Sequence, residues 1–443
     1  MKGYSERRFF EPFGHILSPS LVLSYLPYKK RQFVIRMLKF KEYLIEAKEG
    51  KNLHLEHLED EVLNNGINGT RGAINFLQSL RDMLAGSSKK SVNVTVKWDG
   101  APAIFAGINP ENDKFFVGTK GVFNATPKVN YTDADIDANH SSPGLNAKLK
   151  VALKYLPKLG ITDVLQGDML FTQDDLSTET IDGIPYTTFT PNTITYAVPT
   201  ESSDKIKKAK MGIVWHTTYS GTKLQDMRAS FGANISGLTN SNDVWFTDAD
   251  YKDTSGTVNF NKSETDKITA VLSLAGKTFR KMSSNFMKQL MSRVDIVTLI
   301  KTFNNVKVRE GQKISNTTKH TSDLIKYIDA KLQKNIDSVK TPKAKQTKKQ
   351  TKDEVVGFLS SQKKGLQTIF DMQNHLVDSK NMVIRKLESA KGVMDTFIRT
   401  ENGYRVTPAE GFVAIDQMGS AVKLVDRMEF SRANFNAAKN WTK

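Results

Sequence analysis

The sequence predicts an α+β protein with a substantially antiparallel sheet, and two observations predict this class. Short runs rich in β-branched and aromatic residues, separated by turn-forming residues, occupy roughly residues 91–221. Apolar residues at helical spacing dominate the regions before and after these runs. Strand-like runs return near the C-terminal end, so we expect the helical region between them to be an insertion into one domain.

These patterns divide the chain into a helical region (1–90), a first sheet region (91–263), a helical Lys-rich insertion (264–400) and a last group of strands (401–443). Helices are predicted at 30–50, 54–66, 70–86 and 147–160. Strands are predicted at 92–98, 103–108, 114–123, 163–171, 193–199, 211–219, 403–406, 410–416 and 420–430, and residues 222–263 are predicted to be loop with short strands. The run TPKAKQTKKQTKDE (341–354) has no large apolar residue and is predicted to be an exposed linker or mobile loop.

Composition limits the partners and the chemistry. Lys and Arg number 64 against 47 Asp and Glu, a net charge of +17, which favours a polyanionic partner: nucleic acid first, an anionic membrane surface second. The absence of cysteine excludes a disulfide scaffold, a thiolate metal site and a cysteine nucleophile. No apolar stretch approaches the roughly 20 residues of a membrane span, and the N-terminus has no secretory pattern. We therefore expect a soluble, cytoplasmic protein with no membrane partner.

His54 and His57 lie among several acidic residues in HLEHLEDEVLNNG. This group is either a metal cluster or an acidic, solvated helix face. Spacing alone is weak support for metal ligands, so the solvated face is the preferred interpretation.

The sharpest local motif is TVKWDGAPAIFAG, in which Lys97 ends a strand-like run. A lysine at the end of an apolar strand is partly desolvated, which predicts a lowered amine pKa and an accessible neutral, nucleophilic form. Gly100 permits close approach of the backbone. The alternative is a lysine that extends to solvent and is followed by an ordinary Asp-Gly turn at Asp99.

An ordered set of chemically active residues follows this motif along the chain. The set comprises Lys120 in FFVGTKG, Asp168 in DVLQGDMLF, Trp215, His216 and Tyr219 in GIVWHTTYSG, Glu410 in EGFV and Lys423 in AVKLVDR. Several of these residues also have a structural interpretation: a turn residue for Asp168, core packing for Trp215 and Tyr219, a hydrogen-bonded strand histidine for His216, and an edge-strand charge for Glu410.

This order of motifs resembles the covalent nucleotidyltransferases, a superfamily that comprises ATP-dependent DNA ligases, RNA ligases and mRNA capping enzymes. The resemblance covers about residues 92–221 and 407–427. The wider pattern, including the stretches at 54–66 and 70–86, is similar to uncharacterised proteins of large tailed phages. The resemblance implies a mostly antiparallel, ligase adenylation-type nucleotidyltransferase core with N-terminal helices and a long helical insertion.

The resemblance also implies a role for each motif residue. Lys97 would attack the α-phosphate of ATP or GTP to form a lysyl-nucleotide, and the nucleotide would then pass to a nucleic-acid 5′-phosphate for joining to a 3′-hydroxyl. The metal would be Mg²⁺, held by Asp168 and Glu410, and Glu410 would alternatively meet ribose hydroxyls. The remaining contacts to the nucleotide would come from Lys423 at the α-phosphate, Lys120 at a phosphate or sugar oxygen, Asp99 and Gly100 in the first motif, and Trp215 or Tyr219 stacked on the base.

Several departures from the family pattern bear on activity. Pro102 and Ala103 stand where the first motif commonly has a basic residue, Asp168 replaces a glutamate, and Leu424-Val425 follow Lys423 where the family has K-x-K, leaving Arg427 as a substitute. The chain ends soon after the last motif, so we expect no C-terminal barrel domain, which favours RNA over DNA as the substrate.

Three functions remain open at this stage, one of which is a capping-type or protein-modifying nucleotidyltransferase that shares the lysyl-nucleotide step and differs in the acceptor; the other two are as follows. The first is a polynucleotide ligase acting on nucleic-acid ends, alongside phage virion or replication proteins, in the bacterial host cytoplasm. The second is a non-catalytic nucleic-acid-binding or virion-associated protein on a degenerate nucleotidyltransferase core. Two groups of lysines are candidates for contact with a phosphate backbone: Lys343, Lys345, Lys348, Lys349 and Lys352, and Lys205, Lys207, Lys208 and Lys210.

Overall fold

The computed structural model describes residues 57–87, 93–251, 258–389, 394–400, 403–408, 410–415 and 421–431. The helix predicted at 30–50 and the residues His54 and Glu56 lie outside these ranges. The structure is α+β with antiparallel sheets, as the sequence predicts.

Ten α-helices occur in the described part of the chain. The first precedes the sheets, the third packs on a sheet, and six follow one another after the tenth strand. They are α1 (Glu61–Leu84), α2 (Asp133–Asn139), α3 (Pro143–Tyr155), α4 (Asp204–Lys208), α5 (Lys262–Lys281), α6 (Ser284–Met291), α7 (Val294–Arg309), α8 (Thr317–Asp337), α9 (Pro342–Ser361) and α10 (Lys363–Leu387).

Fourteen strands are described, and they form three sheets. They are β1 (Asn93–Lys97), β2 (Ala103–Asn109), β3 (Lys114–Gly118), β4 (Val164–Thr172), β5 (Ser177–Ile181), β6 (Ile184–Phe189), β7 (Ile194–Pro199), β8 (Met211–Ser220), β9 (Arg228–Phe231), β10 (Val244–Asp248), β11 (Asp395–Thr400), β12 (Gly403–Val406), β13 (Gly411–Ile415) and β14 (Ala421–Leu424). The strand orders are β1-β13-β14, β10-β8-β4-β2-β3 with β9 beside β8, and β12-β11-β7-β6-β5. Every pairing is antiparallel except that of β10 with β8.

The chain returns to the sheets after the helical segment. β13 pairs with β1, and β11 pairs with β7, although about 200 or more residues separate each pair in sequence. Non-local pairing of this kind is set by the buried faces of the strands rather than by turns between them.

The helices of the N-terminal region and of the insertion share one core. Helix α1 packs against α5 and α10, and the buried side chains of this body continue into Phe412 and Leu424 on β13 and β14. Helix α5 illustrates the local causes: Asn261 and Glu264 form a capping box, and the buried residues Ile268 and Leu272 lie one turn apart. One hydrophobic core therefore joins the helical body to the sheet that begins with Lys97's strand.

The lysine-rich run at 341–354 is not a linker, which corrects the sequence prediction. It forms the first part of α9, where the Thr341 hydroxyl accepts from the Ala344 amide and Pro342 occupies the first turn. The apolar residues that anchor this helix, Val355 and Leu359, come only after the run ends. Lys, Gln and Ala are good helix formers, so the absence of apolar residues does not prevent a helix there.

The sequence prediction also missed strands. β5 and β6 form a hairpin through Asp182 and Gly183, a stretch interpreted as a turn alone, and β11 lies where a helix was expected. β11 forms because β7 and β12 supply hydrogen-bond partners on both sides, which local propensity does not encode. Among the helices of the described ranges, none is both long and apolar enough to cross a membrane.

Candidate functional site

A cleft of about 510 Å³ lies between the three-stranded sheet and the six-stranded sheet. Strands β1, β13 and β14 supply one wall, and β2, β4, β8 and β9 supply the other. Residues predicted from six separate sequence motifs line it: Lys97, Asp99, Gly100, Lys120, Asp168, Tyr219, Glu410 and Lys423.

Strand register brings the two predicted catalytic lysines to the same face. Thr95 lies opposite Val413, which in turn lies opposite Lys423, and all three side chains line the cleft. Lys97 follows Thr95 by two residues and therefore points to the same side of the sheet. The prediction that widely separated segments bring Glu410 and Lys423 close to Lys97 holds in the structure.

Glu410 meets Lys97 because the next residue, Gly411, pairs directly with Lys97. Gly411 has a φ of +147°, and a Cβ there would lie 2.4 Å from the carbonyl oxygen of Leu424. Only glycine fits this position, since both the backbone angle and the space exclude a side chain. The tight approach fixes the entry of β13 and with it the Glu410 carboxylate.

Lys97 and Glu410 form an ion pair through Nζ and Oε2, with Glu410 buried and Lys97 half-buried. Burial by itself lowers the pKa of the Lys97 ammonium, but the Glu410 carboxylate, with smaller contributions from Asp168 and Asp99, more than offsets this effect and the pKa is raised. Burial also raises the pKa of Glu410, against the opposing effect of Lys97. The prediction of a lowered Lys97 pKa is therefore wrong, because it took account of desolvation and not of a carboxylate from a distant segment.

Lys423 is the amine whose pKa is lowered, to about 8. Burial is the main cause, and the nearby positive charge of Lys97 is the next. Its neutral form is therefore accessible close to neutral pH.

Asp168 lies across the cleft on β4, beneath the turn that follows Lys97. A Cβ at Gly100 would lie 2.6 Å from the Cβ of Asp168, and the Ala101 amide donates to the Met169 carbonyl at 2.9 Å. Gly100 thus allows this turn to rest directly on β4. On its other side the Asp168 carboxylate lies 3.7 Å from Nε2 of His216.

Asp99 lines the cleft, but its carboxylate holds the chain in place. Oδ2 accepts from the Thr193 and Ile194 amides at 2.7 and 2.8 Å, and Oδ1 accepts from Nδ2 of Asn192 at 2.8 Å. The Asp99 amide donates to the Tyr196 hydroxyl at 2.7 Å. These bonds tie the turn after β1 to the start of β7. The Asp99 carboxylate therefore has a structural role in place of the predicted contact with a nucleotide.

Trp215 does not line the cleft, which corrects one of the two predicted stacking residues. Gln166 pairs with Thr217 and Gly167 with Trp215, so β8 carries one extra residue, His216, at a β-bulge. The bulge reverses the alternation of faces. Trp215 is fully buried in the core with Ile213 and Met211, whereas Tyr219 reaches the cleft.

The Tyr219 ring is held in place on the wall of the cleft by a second aromatic ring and a hydrogen bond. Its ring stacks on Phe123 at 4.7 Å, and its hydroxyl donates to Oε1 of Gln166 at 2.9 Å. Burial raises the pKa of Tyr219 to about 12, so this hydroxyl stays protonated. Phe105 and Phe231 also line the cleft.

Sequence reasoning missed several lining residues. Gln166 precedes Asp168 by two residues on β4, so strand alternation from Asp168 predicts its position. Asn192 and Phe231 lie in a loop and in a short strand that carry no comparable signal. His216 was interpreted as a satisfied strand histidine; its Nδ1 contacts the Thr217 hydroxyl at 2.8 Å, and its ring also faces the cleft.

Arg427, the proposed substitute for a second motif lysine, is engaged elsewhere. Its guanidinium donates to Asp60 at 2.8 Å and to Asn305 at 2.6 Å. Glu59 and Lys380, both buried, form an ion pair beside it. The acidic residues at 59–60 are thus neither a metal cluster nor a solvated face, because cations from distant helices neutralise them in the interior.

The cleft offers few metal ligands. Within the described residues, no group of three or more His, Asp or Glu side chains is arranged to hold a metal ion. Asp168 and Glu410 nevertheless line the same cleft and present hard carboxylate oxygens. One or two carboxylates together with substrate phosphates are the ligand set that Mg²⁺ ordinarily uses, so these two residues fit a substrate-borne Mg²⁺.

Comparison with known proteins yields one family. A family model described as a family of unknown function (DUF6267) matches residues 52–439, which span the cleft and the helical body. No curated protein and no solved structure matches the chain.

Proposed function

The chain belongs to the DUF6267 family, and from its cleft we propose that it is a nucleotidyltransferase that forms a lysyl-nucleotide at Lys97 and joins nucleic-acid ends. One observation carries the proposal: Lys97, Glu410, Lys423, Asp168 and Lys120, from five separate segments, line one cleft. A lysine nucleophile, flanking cations and carboxylates are the groups that transfer of a nucleotidyl group requires.

In the proposed first step, the Lys97 amine attacks the α-phosphorus of ATP or GTP. A P–N bond forms, the P–O bond to pyrophosphate breaks, and the amine must first lose a proton. Glu410 is the nearest acceptor: burial raises its pKa, which favours its taking up that proton, whereas the raised pKa of Lys97 opposes the transfer. The Lys423 and Lys120 ammonium groups would offset negative charge on the phosphates, which otherwise repels a nucleophile.

Two further groups would bind the nucleotide. Mg²⁺ carried by the phosphates would be held by Asp168, because Glu410 serves as the acceptor of the Lys97 proton, and it would supply charge neutralisation at the phosphoryl oxygens. The Tyr219 ring, which lines the cleft, would stack on the base.

The acceptor would be a nucleic-acid end, RNA or DNA. The exposed residues Lys343, Lys345 and Lys349 lie on the first turns of α9, a segment whose side chains are not part of the core. A lysine-bearing helix of this kind neutralises backbone phosphates without reading sequence. In the second lysine group, Lys207 and Lys210 donate to the Thr200 carbonyl and to the Gln173 side chain, so α9 is the better candidate surface.

The test of the first step is covalent labelling. The protein is incubated with α-³²P-labelled ATP or GTP and Mg²⁺, then denatured, and we expect label that survives denaturation and is released by acid, as a P–N bond requires. Lys97→Arg keeps the positive charge but removes the nucleophile, so it should abolish labelling. Lys114→Ala, which removes an exposed lysine at a strand end outside the cleft, should leave labelling unchanged.

Absence of label with all four ribonucleoside triphosphates, or label that persists in Lys97→Arg, would reject the enzyme proposal. The alternative would then be a nucleic-acid-binding or virion-associated protein on the same fold. Pre-labelled protein offered nicked RNA and nicked DNA duplexes would identify the acceptor by transfer of label to a 5′-phosphate.

The nucleic-acid surface has a separate test. We expect a variant with Lys343, Lys345 and Lys349 changed to Glu to bind RNA more weakly, with a salt slope smaller by roughly 0.7–0.9 for each lysine–phosphate ion pair removed. Covalent labelling at Lys97 should be unaffected. Unchanged affinity and slope would place the binding surface elsewhere.

A further inference from the structure

Four Phe, Tyr or Trp side chains of the described chain line the cleft, and they differ in whether their rings are already packed. Trp98, Phe105 and Tyr219 each have another aromatic ring whose centroid lies 5.2, 5.2 and 4.7 Å away, respectively. Among the described residues, Phe231 has no aromatic or cation–π partner, and no hydrophobic core includes its side chain. Within that part of the chain, the Phe231 ring therefore lines the cleft without another ring or a cation on either face.

Strand β9, which carries Phe231, forms a rim of the cleft. In the described chain it pairs only with β8, and the three residues before Phe231 are exposed. Ala229 and Phe231 line the cleft, whereas strand alternation directs Arg228 to the outer side. Just after the strand, the Gly232 amide donates to the His216 carbonyl at 2.8 Å, and a Cβ at Gly232 would meet no atom within 4 Å. The Phe231 ring is thus held at an open, partly exposed edge of the cleft.

The same strand carries a cation that the described residues do not neutralise. The Arg228 side chain is exposed, and its guanidinium forms no ion pair or hydrogen bond with them. Arg228 precedes Phe231 by three residues, which is about 10 Å along a strand. A long cationic side chain at this distance reaches the phosphates next to a base that is stacked on the ring. An exposed aromatic face with a cation beside it is the combination with which proteins bind single-stranded nucleic acid.

We propose that β9 holds the 5′-terminal nucleotide of a single-stranded acceptor, with its base stacked on Phe231 and a backbone phosphate contacted by Arg228. This inference rests on the proposed function, because it concerns the strand that would receive the nucleotide from Lys97. In a nicked duplex the faces of the base at the nick are covered by its neighbours, so Phe231 would select a strand whose end is unpaired. Since every base has a π face, the contact would not read sequence.

Fluorescence anisotropy of the full chain with short 5′-phosphorylated oligonucleotides tests the proposal without any reaction. One labelled strand, prepared as RNA and as DNA, is offered alone and annealed so that its 5′-phosphate lies at the nick of a duplex. Phe231→Leu keeps apolar bulk but removes the π face, so we expect it to weaken single-strand binding at least about threefold and nicked-duplex binding less than about twofold. Phe231→Tyr keeps the π face and should bind like the original chain.

Two further variants separate stacking from charge and from general damage. Arg228→Gln should reduce the salt slope of single-strand binding by about 0.7, the contribution of one phosphate contact. Phe246→Leu makes the same change at a partly buried residue of β10 that packs on a core outside the cleft, and it should alter neither affinity.

A single strand with 5-iodouridine at its 5′ end locates the contact on the unmodified chain, which decides the matter if a variant does not fold. We expect a photocross-link to the peptide that contains Phe231. A cross-link to other peptides only, no single-strand binding, or equal losses for single strand and nicked duplex in Phe231→Leu would overturn the proposal. So would a Phe231→Leu variant that needs more nucleoside triphosphate for half-maximal labelling, because the ring would then hold the nucleotide substrate. Phe231-dependent strand binding in a chain that is never labelled at Lys97 would reject the enzyme proposal and retain the strand site.

Discussion

The ion pair between Glu59 and Lys380 is buried in the helical body, so a change of one of its charges should destabilise the fold. Nζ of Lys380 lies 2.7 Å from Oε2 and 2.9 Å from Oε1 of Glu59, and the side chains are 1% and 3% exposed. Lys380 belongs to α10, whereas Glu59 precedes α1. The pair therefore fixes two helices that lie more than 300 residues apart in the sequence.

Removal of one partner leaves a buried charge. Glu59→Leu would leave the Lys380 ammonium in the interior, and we expect a loss of about 3–5 kcal/mol in the free energy of unfolding. Lys380→Met should cost less, because the Arg427 guanidinium lies 3.9 Å from the Glu59 carboxylate and retains part of the compensation. The double variant removes both charges and should recover to within about 2 kcal/mol of the original protein.

Urea unfolding followed by far-UV circular dichroism at pH 7 measures these differences, provided that all variants share one slope. Asp243→Asn serves as the control, because its partner Lys158 lies 2.6 Å away on the surface, with the Lys158 and Asp243 side chains 49% and 32% exposed. An exposed pair of this kind should contribute less than about 1 kcal/mol. The reasoning fails if Glu59→Leu also costs less than about 1 kcal/mol, or if the double variant equals the sum of the single ones.

Three further predictions follow from other positions. The pKa of Glu388 is about 7 in the folded chain and about 4.3 in an unfolded one, so its carboxylate lowers stability progressively as pH rises from about 4 to 7. Glu388→Gln should therefore raise the free energy of unfolding at pH 8 by about 1–2 kcal/mol, with allowance for partial exposure, and have no effect near pH 4; equal effects at both pH values would contradict this. Gly100→Ala places a Cβ 2.6 Å from that of Asp168, so we expect a loss of about 1–3 kcal/mol in urea unfolding together with weaker nucleotide labelling, and normal labelling would show that the turn can move. Trp215→Phe should lower the melting temperature and leave the nucleotide concentration for half-maximal labelling unchanged, whereas Tyr219→Ala should raise that concentration; a raised value in Trp215→Phe would contradict the placement of Trp215 in the core.

Much of the fold could be predicted from local pattern. Alternating apolar residues predicted β1, β2, β4 and β8, and helical spacing predicted α1. The strands that were missed, β11 above all, depend on partners on both sides rather than on their own residues. The lysine-rich part of α9 was missed because it has no buried apolar residues of its own. It is helical because Thr341 caps its start and the buried residues Val355 and Leu359 hold the rest of the same helix against the core.

The candidate site, like the fold, was predicted from the sequence in part. The order of motifs indicated that Lys97, Glu410 and Lys423 belong together, and strand register places all three on one cleft. The sequence did not indicate that the Asp99 carboxylate would accept hydrogen bonds from backbone amides, or that Trp215 would face the core.

The sequence by itself determined the kind and order of most elements and most of the chemical groups that line the cleft. Tertiary structure alone decided the face on which each group lies and the pKa of Lys97. The physical reason is one of range: periodicity reports on neighbours two to four residues away, whereas the bulge at His216 and the ion pair to Glu410 depend on strands that meet only when the chain folds.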